Sequence, residues 1–221
     1  MTVLSAQMQA RALRRQAMAL DHPALGAVLA RLARALDLPR IGVDVLPMAE
    51  LNGFAAPDGR VYITRGFLDR LDQGEITPPE IAGVVAHELG HVALGHGRTR
   101  QMQIVLSQGL EAGLRTAGAR LIPGLGAILG HWAGRGVTLM VAGGLSRRNE
   151  LDADRYAAAA MTKAGFTIAP QVSLLRTLDA ERQARGATPP PAWMASHPPA
   201  ESRIAALEQI ARRWDTTCLP S

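Results

Sequence analysis

The residues best suited to chemistry are His87, Glu88 and His91, which form an HExxH pattern inside a predicted helix. Histidines separated by four positions leave the same face of an α-helix, because the helix turns once every ~3.6 residues. Two neutral imidazoles placed this way can bind one zinc ion, and a glutamate beside them can take a proton from a zinc-bound water. The pattern is short, and a helix with two solvated histidines also explains it.

The helix that carries this pattern has recognisable start and stop signals. Thr77 and Glu80 have the spacing of a capping box, and Pro78 would occupy the first helical position. Gly95 and Gly97 follow the last apolar residues and are typical of helix ends. The sequence therefore predicts a helix that begins at Pro78 and stops near these glycines.

A second predicted helix, about sixty residues further on, supplies carboxylates. Glu150 and Asp154 share one helical face, and Glu150 can complete a His–His–Glu ligand set that leaves the fourth position open for water. Asp154 can accept the other ring N–H of a ligating histidine and fix its tautomer. Acidic residues also favour helix N-termini, which explains Glu150 and Asp152 without a metal but does not predict the histidines upstream.

These residues resemble the gluzincin signature, HExxH followed by Glu-x-x-x-Asp, and their surroundings resemble the M48 peptidases. That family includes relatives of the CAAX prenyl protease and of the heat-shock membrane protease. The resemblance covers roughly residues 40–210 and also rests on residues 52–68 and on Ser196-His197-Pro198 with Arg203. It implies a mainly helical α+β fold of the zincin type, with a small β-sheet roofing the active-site cleft. Gly53 departs from the family, where alanine is more usual.

The resemblance also implies a function and a role for each ligand. It predicts a zinc-dependent endopeptidase that hydrolyses polypeptides through a metal-activated water, with one Zn²⁺ on His87, His91 and Glu150. Glu88 is then the general base. His197 is predicted to be catalytic, as a donor to the oxyanion, but it can also anchor the glutamate helix or simply staple the start of the last helix.

Further residues are expected to support the ligands or the substrate. Asp154, Asn149 and Arg203 are predicted to lie behind the metal ligands. A sheet-edge strand can bind an extended peptide through main-chain hydrogen bonds with little demand on its side chains. The predicted substrate strand comprises Asn52, Gly53, Phe54 and Ala55.

The metzincins, a related class of zinc peptidases, are excluded by spacing. They need a glycine and then a histidine at two fixed positions after the second histidine of the motif, where this chain has Leu94 and Gly97. His96 falls about 140° round the helix from His91, off the ligand face. It is interpreted as a histidine of the last helical turn, near the negative end of the helix dipole.

Periodicity predicts the remaining organisation. A core-facing helix is expected over 24–38, strands over 41–46, 51–55 and 61–64, and a turn at 57–59. The predicted domains are an N-terminal helical segment (1–39), a peptidase domain (40–213) and a tail (214–221). The peptidase domain includes an apolar insertion at about 104–145, predicted to be a helical pair packed over the metal site.

Composition narrows the classes of function. The formal net charge is +5, but the arginines are dispersed and aromatic residues make up only 4%, which argues against a nucleic-acid partner. Cys218 is a lone cysteine, so neither an internal disulfide nor a thiolate zinc site is possible. Residues 1–20 lack the continuous apolar core of a signal peptide, and a cytoplasmic location is expected.

Three alternatives stay open. The insertion has no uncharged run as long as the ~20 residues of a membrane span. Peripheral membrane contact or self-association through the insertion is the first alternative. The protein can also be a latent peptidase, or a zinc-binding, chaperone-like protein without turnover. Glu88 argues against the chaperone-like reading, because a pure binding site has no use for a base there.

Overall fold

The structure is a computed structural model and describes residues 14–56, 59–96, 147–185, 197 and 201–217. Several predictions fall wholly or partly outside these residues. They concern the turn at 57–59, the helical pair over 104–145, and Cys218 with the end of the tail. These stay predictions, as do the domain boundaries.

The described elements confirm a mainly helical α+β fold with a small sheet. They follow one another in this order: β1 (Met18–Ala19), α1 (Pro23–Ala35), β2 (Val43–Leu46), β3 (Gly53–Ala55), β4 (Val61–Thr64), α2 (Arg65–Asp72), α3 (Pro78–Ala93), α4 (147–163), α5 (Ala169–Arg185) and α6 (Glu201–Thr217).

The strands form a four-stranded sheet in the order β1-β2-β4-β3. β2 runs parallel to β4, whereas β1 and β3 are antiparallel edge strands. Val61 and Ile63 of β4 face the main core, and Tyr62 between them points to the other face, where Phe54 stacks on it with ring centroids 5.4 Å apart. This alternation is the two-residue period of a strand.

Three predicted boundaries were wrong by a few residues, and the first is the start of β2, which begins at Val43 instead of residue 41. Helix α1 ends at Ala35 because Asp37 adopts a left-handed conformation (φ 56°) and the N–H of Leu38 bonds to the carbonyl of Ala33. This is a Schellman-type cap, with aspartate where glycine usually stands. Strand β3 begins at Gly53, because the N–H of Asn52 bonds to the hydroxyl of Thr64 instead of a carbonyl of β4, although the carbonyl of Asn52 still accepts the N–H of Thr64.

Helix α3 lies at the centre of the core. Every residue from Glu80 to Gly90 is buried, although the sequence predicted only one apolar face. Two glycines permit close packing: Gly83 lies against Gln171 of α5, and a Cβ on Gly90 would lie 3.2 Å from the Cα of Ala153 in α4. The motif helix is therefore enclosed by other helices, which hold its side chains in fixed positions.

The chain divides into two compact units, one made of Met1–Val92 with Leu151–Ser221 and the other of Ala93–Glu150. Of the second unit, the structure describes only residues 93–96, which follow on from α3, and residues 147–150, which begin α4. Among the described residues, no helix is both long and apolar enough to cross a membrane.

Candidate metal centre

The start of α3 agrees with the predicted capping signals, with one difference in detail. Glu80 reaches back, and its carboxylate accepts the N–H of Thr77 at 2.6 Å and the Thr77 hydroxyl at 2.8 Å. The hydroxyl thus donates to the carboxylate, in contrast to a full capping box, in which it accepts a backbone N–H. The helix ends at Ala93, and Gly95 follows in a left-handed conformation (φ 69°).

His87 and His91 leave α3 on the same side, as the spacing predicts. Their Nε2 atoms lie 3.0 Å apart, and the rings meet edge to face with centroids 4.7 Å apart. His87 is only 2% exposed. Two ring nitrogens brought this close can hold a single ion between them.

A carboxylate and a third histidine join this pair. His87, His91, Glu150 and His197 each offer one ligand atom, and these atoms all lie within 4.8 Å of one another. Glu150 and His197 are buried. Imidazole nitrogens with one carboxylate are a donor set that suits zinc, so the residues present fit a metal ion.

Glu88 is buried beside this group but is not one of its members. Its Oε1 lies 3.2 Å from Nε2 of His197, although it makes no well-aligned hydrogen bond with the described residues. Burial acts to raise the pKa of Glu88, but His197, and then the charges of His87 and His91, outweigh it and hold the pKa below its ordinary value. The carboxylate is therefore ionised at neutral pH and can accept a proton.

A buried ion pair supports His87 from behind. Oδ1 of Asp154 lies 2.9 Å from Nδ1 of His87. Arg203 donates to both carboxylate oxygens, from Nε at 2.6 Å and from Nη2 at 2.7 Å. Burial would raise the pKa of Asp154, but Arg203 and then His87 lower it to about 2. Asp154 thus stays an acceptor, which keeps the proton of His87 on Nδ1 and makes Nε2 the nitrogen that can bind a metal.

Sequence comparison with known proteins identifies the family. The family described as Peptidase family M48 matches residues 19–211. The chain belongs to peptidase family M48. It is similar to a Protease HtpX homolog of Salinibacter ruber (30% identity, covering 87% of this chain and 76% of the relative) and to Protease HtpX homolog 1 of Streptomyces coelicolor (33%, 86% and 72%). It also resembles Metalloprotease LoiP of Escherichia coli (29%, 65% and 54%).

This M48 chain is therefore a metalloendopeptidase, and its substrates are polypeptides. Within the described part of the chain, the group that could hold a metal includes all three residues that the sequence predicted as ligands, and their role as ligands stays a prediction. It also brings in His197, which was predicted as an oxyanion donor. Arg203 lies behind Asp154, whereas Asn149 is half-buried in the first described turn of α4, and its supporting role stays a prediction.

Three of the four residues predicted to bind substrate form β3, an edge strand of the described sheet, and Asn52 directly precedes it. Its neighbour is β4, with Gly53 opposite Ile63 and Ala55 opposite Val61. A Cβ on Gly53 would lie 3.1 Å from Cγ1 of Val84, so the strand passes close to the metal-site helix. Among the described strands, β3 pairs on one side only, and an edge of this kind is what main-chain docking of a peptide requires.

Sequence reasoning missed three residues around the site, which are Gly83, Gly90 and Gln171, and it misplaced His96. Gly83 and Gly90 fall seven positions apart on α3, and that spacing on one helix face was a readable sign of close helix packing. His96 is buried and follows the end of α3, instead of lying in its last turn as predicted. Gln171 of α5 lies near Asp154, and no local pattern marks it.

Proposed function

We propose that this chain is a zinc-dependent endopeptidase in which one Zn²⁺ is held by His87, His91 and Glu150. The observation that carries the proposal is the group of four buried or half-buried metal-ligating side chains with the ionised, buried Glu88 directly beside it. Three protein ligands with one position left for water are the arrangement of catalytic zinc sites.

The proposed mechanism assigns proton transfer to Glu88. Zinc, when bound, acidifies a water and polarises the scissile carbonyl. Glu88 accepts a proton from the attacking water and delivers it to the departing amine. Because its pKa is held below the ordinary value, Glu88 begins each cycle as the carboxylate that this role needs.

Asp154 and Arg203 hold His87, the most buried of the proposed ligands, in place. Asp154 holds the Nδ1–H of His87, and Arg203 holds Asp154 through two hydrogen bonds. A partner that locks the ring orientation raises metal affinity, and losing such a partner typically costs about 10- to 100-fold. An extended polypeptide would dock on β3 by main-chain hydrogen bonds, with its scissile bond presented to Glu88.

A second candidate is a latent form of the same peptidase, and His197 favours it. Nδ1 of His197 lies 3.4 Å from Nε2 of His87, so His197 can occupy the position that water needs. The two roles of His197 make opposite predictions. If it donates to the oxyanion, His197→Ala lowers kcat by about 100-fold; if it closes the site, the same change raises turnover.

The decisive test is turnover of unfolded casein by the purified chain, with zinc quantified in each sample. Wild type should hold about one zinc ion and cleave, whereas Glu88→Gln should keep the zinc and lose at least about 100-fold in kcat. Glu75→Gln, an exposed site on the surface, is the matched control. A chain that binds no zinc would overturn the proposal. Zinc binding without cleavage would favour the latent or chaperone-like alternatives.

Location and assembly are separate questions. The cytoplasmic location, peripheral membrane contact and self-association stay predictions from the sequence. Co-sedimentation with anionic vesicles and light scattering of the purified chain test the last two.

A further inference from the structure

A small cavity adjoins the residues that support His87. It lies within the larger compact unit and is lined by side chains from α3, α4, α5 and α6, among them His87, Asp154, Gln171 and Arg203. Three of these belong to the network already described. Gln171 does not, and its position calls for an explanation.

Gln171 stands in the first turn of α5 and is only 7% exposed. Its Nε2 donates to the backbone carbonyl of Asp154 at 3.4 Å, a long hydrogen bond. Its Oε1 is buried and has no hydrogen-bond partner in the part of the chain that the structure describes. The side chain also packs across Gly83, one helical turn before His87 in α3. The amide therefore lies between the two helices that carry His87 and Asp154.

The Gln171 amide is expected to lower the stability of the fold. A buried acceptor without a partner, such as Oε1 of Gln171, lowers the folding stability by about 1–3 kcal/mol. The bond that Nε2 donates to Asp154 is too long to offset most of this loss. Leucine has a similar size and would suit the apolar neighbours Leu174 and Leu175. A buried polar group that lowers stability next to an active site is typically held there for function.

We propose that Gln171 is a positioning residue for metal binding. Its amide holds the backbone of α4 at Asp154, and through the Asp154 carboxylate it sets the orientation of the His87 ring. Gln171 touches neither metal nor substrate and acts only through Asp154. This inference rests on the proposed function, since it requires that His87 bind the metal.

The test is Gln171→Leu, because removing the unpartnered Oε1 should raise stability, whereas removing the bond from Nε2 to the Asp154 carbonyl should weaken metal binding. The unfolding midpoint of the metal-free variant should equal or exceed that of wild type. Its zinc Kd, measured by competition with a chromogenic chelator, should weaken by roughly tenfold. Gln209→Leu, an exposed glutamine on α6, is the matched control and should bind zinc as wild type does.

A second variant separates the effect of disturbed packing from the effect of losing the hydrogen bond to Asp154. Leu174→Val removes one methylene beside the same cavity and keeps Gln171, which bonds to the carbonyl of Asp154. If Gln171→Leu is itself destabilised, its zinc Kd must still weaken more than that of Leu174→Val at similar stability. An unchanged Kd, or a loss equal to that of Leu174→Val, overturns the proposal. Absence of zinc binding by wild type would instead overturn the proposed function.

Discussion

Nδ1 of His87 and Oδ1 of Asp154 lie 2.9 Å apart, and both side chains are 2% exposed. Arg203 completes this buried trio by binding both oxygens of the same carboxylate. The predicted metal ligand is thus fixed by a residue one helix away and a cation from the end of the chain. Breaking this arrangement gives the first predictions.

Asp154→Asn should weaken zinc binding by about 10- to 100-fold, because a neutral amide no longer imposes one tautomer on His87. It should also destabilise the fold by about 3–5 kcal/mol, since Arg203 is left buried without its counter-charge. Zinc titration and denaturant unfolding measure the two effects. Asp152→Asn, whose exposed carboxylate pairs with Arg155, is the control. Wild-type zinc affinity in Asp154→Asn would show that Asp154 does not orient the ligand.

The same ion pair should make stability depend on pH in a defined window. Burial raises the pKa of Asp154, but Arg203 outweighs it and the pKa falls from 3.8 to about 2. A depressed carboxyl pKa contributes stability that is complete above the ordinary pKa and is lost as pH falls through the folded-state value. The contribution is about 2 kcal/mol at neutral pH.

Metal-free Arg203→Met should therefore be clearly less stable than wild type at about pH 6, and the difference should shrink between about pH 4 and pH 2. Denaturant unfolding at several pH values measures this. Arg176→Met, which removes an exposed pair with Glu208, should show a small difference with no such trend. A stability gap for Arg203→Met that stays constant down to pH 2 would contradict the assignment.

Gly53 and Val84 should be coupled in substrate binding. A Cβ on Gly53 would lie 3.1 Å from Cγ1 of Val84, so Gly53→Ala should push β3 away from α3 and raise KM for extended peptides. Val84→Ala should relieve the contact, with a coupling free energy of about 1 kcal/mol in the double-mutant cycle. Additive effects of the two changes on KM would show that this contact does not place the strand.

Two glycine substitutions should change stability in opposite directions. A Cβ on Gly66 would overlap the carbonyl group of Ala49, whose carbon would lie at 2.9 Å, so Gly66→Ala should destabilise by about 2 kcal/mol. Gly26 in α1 has nothing within 4 Å of the added carbon. Gly26→Ala should stabilise by up to about 1 kcal/mol through helix propensity. Thermal unfolding of both variants checks the pair, and stabilisation by Gly66→Ala would contradict it.

The sequence by itself determined the parts of the site that depend on local geometry. Three such features are set within one or two turns of a helix. They are the spacing of His87 and His91, the same spacing of Glu150 and Asp154, and the capping pair Thr77 and Glu80. Helical periodicity fixes which side chains share a face, whatever surrounds the helix. The bounds of β4, residues 61–64, were also predicted correctly.

Only the tertiary structure decided how these local pieces meet. Residues far apart in the chain bury α3 on every side from Glu80 to Gly90. They also form the bidentate contact of Arg203 with Asp154 and bring Gln171 to the backbone of α4. His197 shows the point most clearly, because its role depends on whether its ring faces Glu88, the metal ligands or both. Such contacts are set by helix packing and by the desolvation of buried charges, and neither leaves a periodic trace in the sequence.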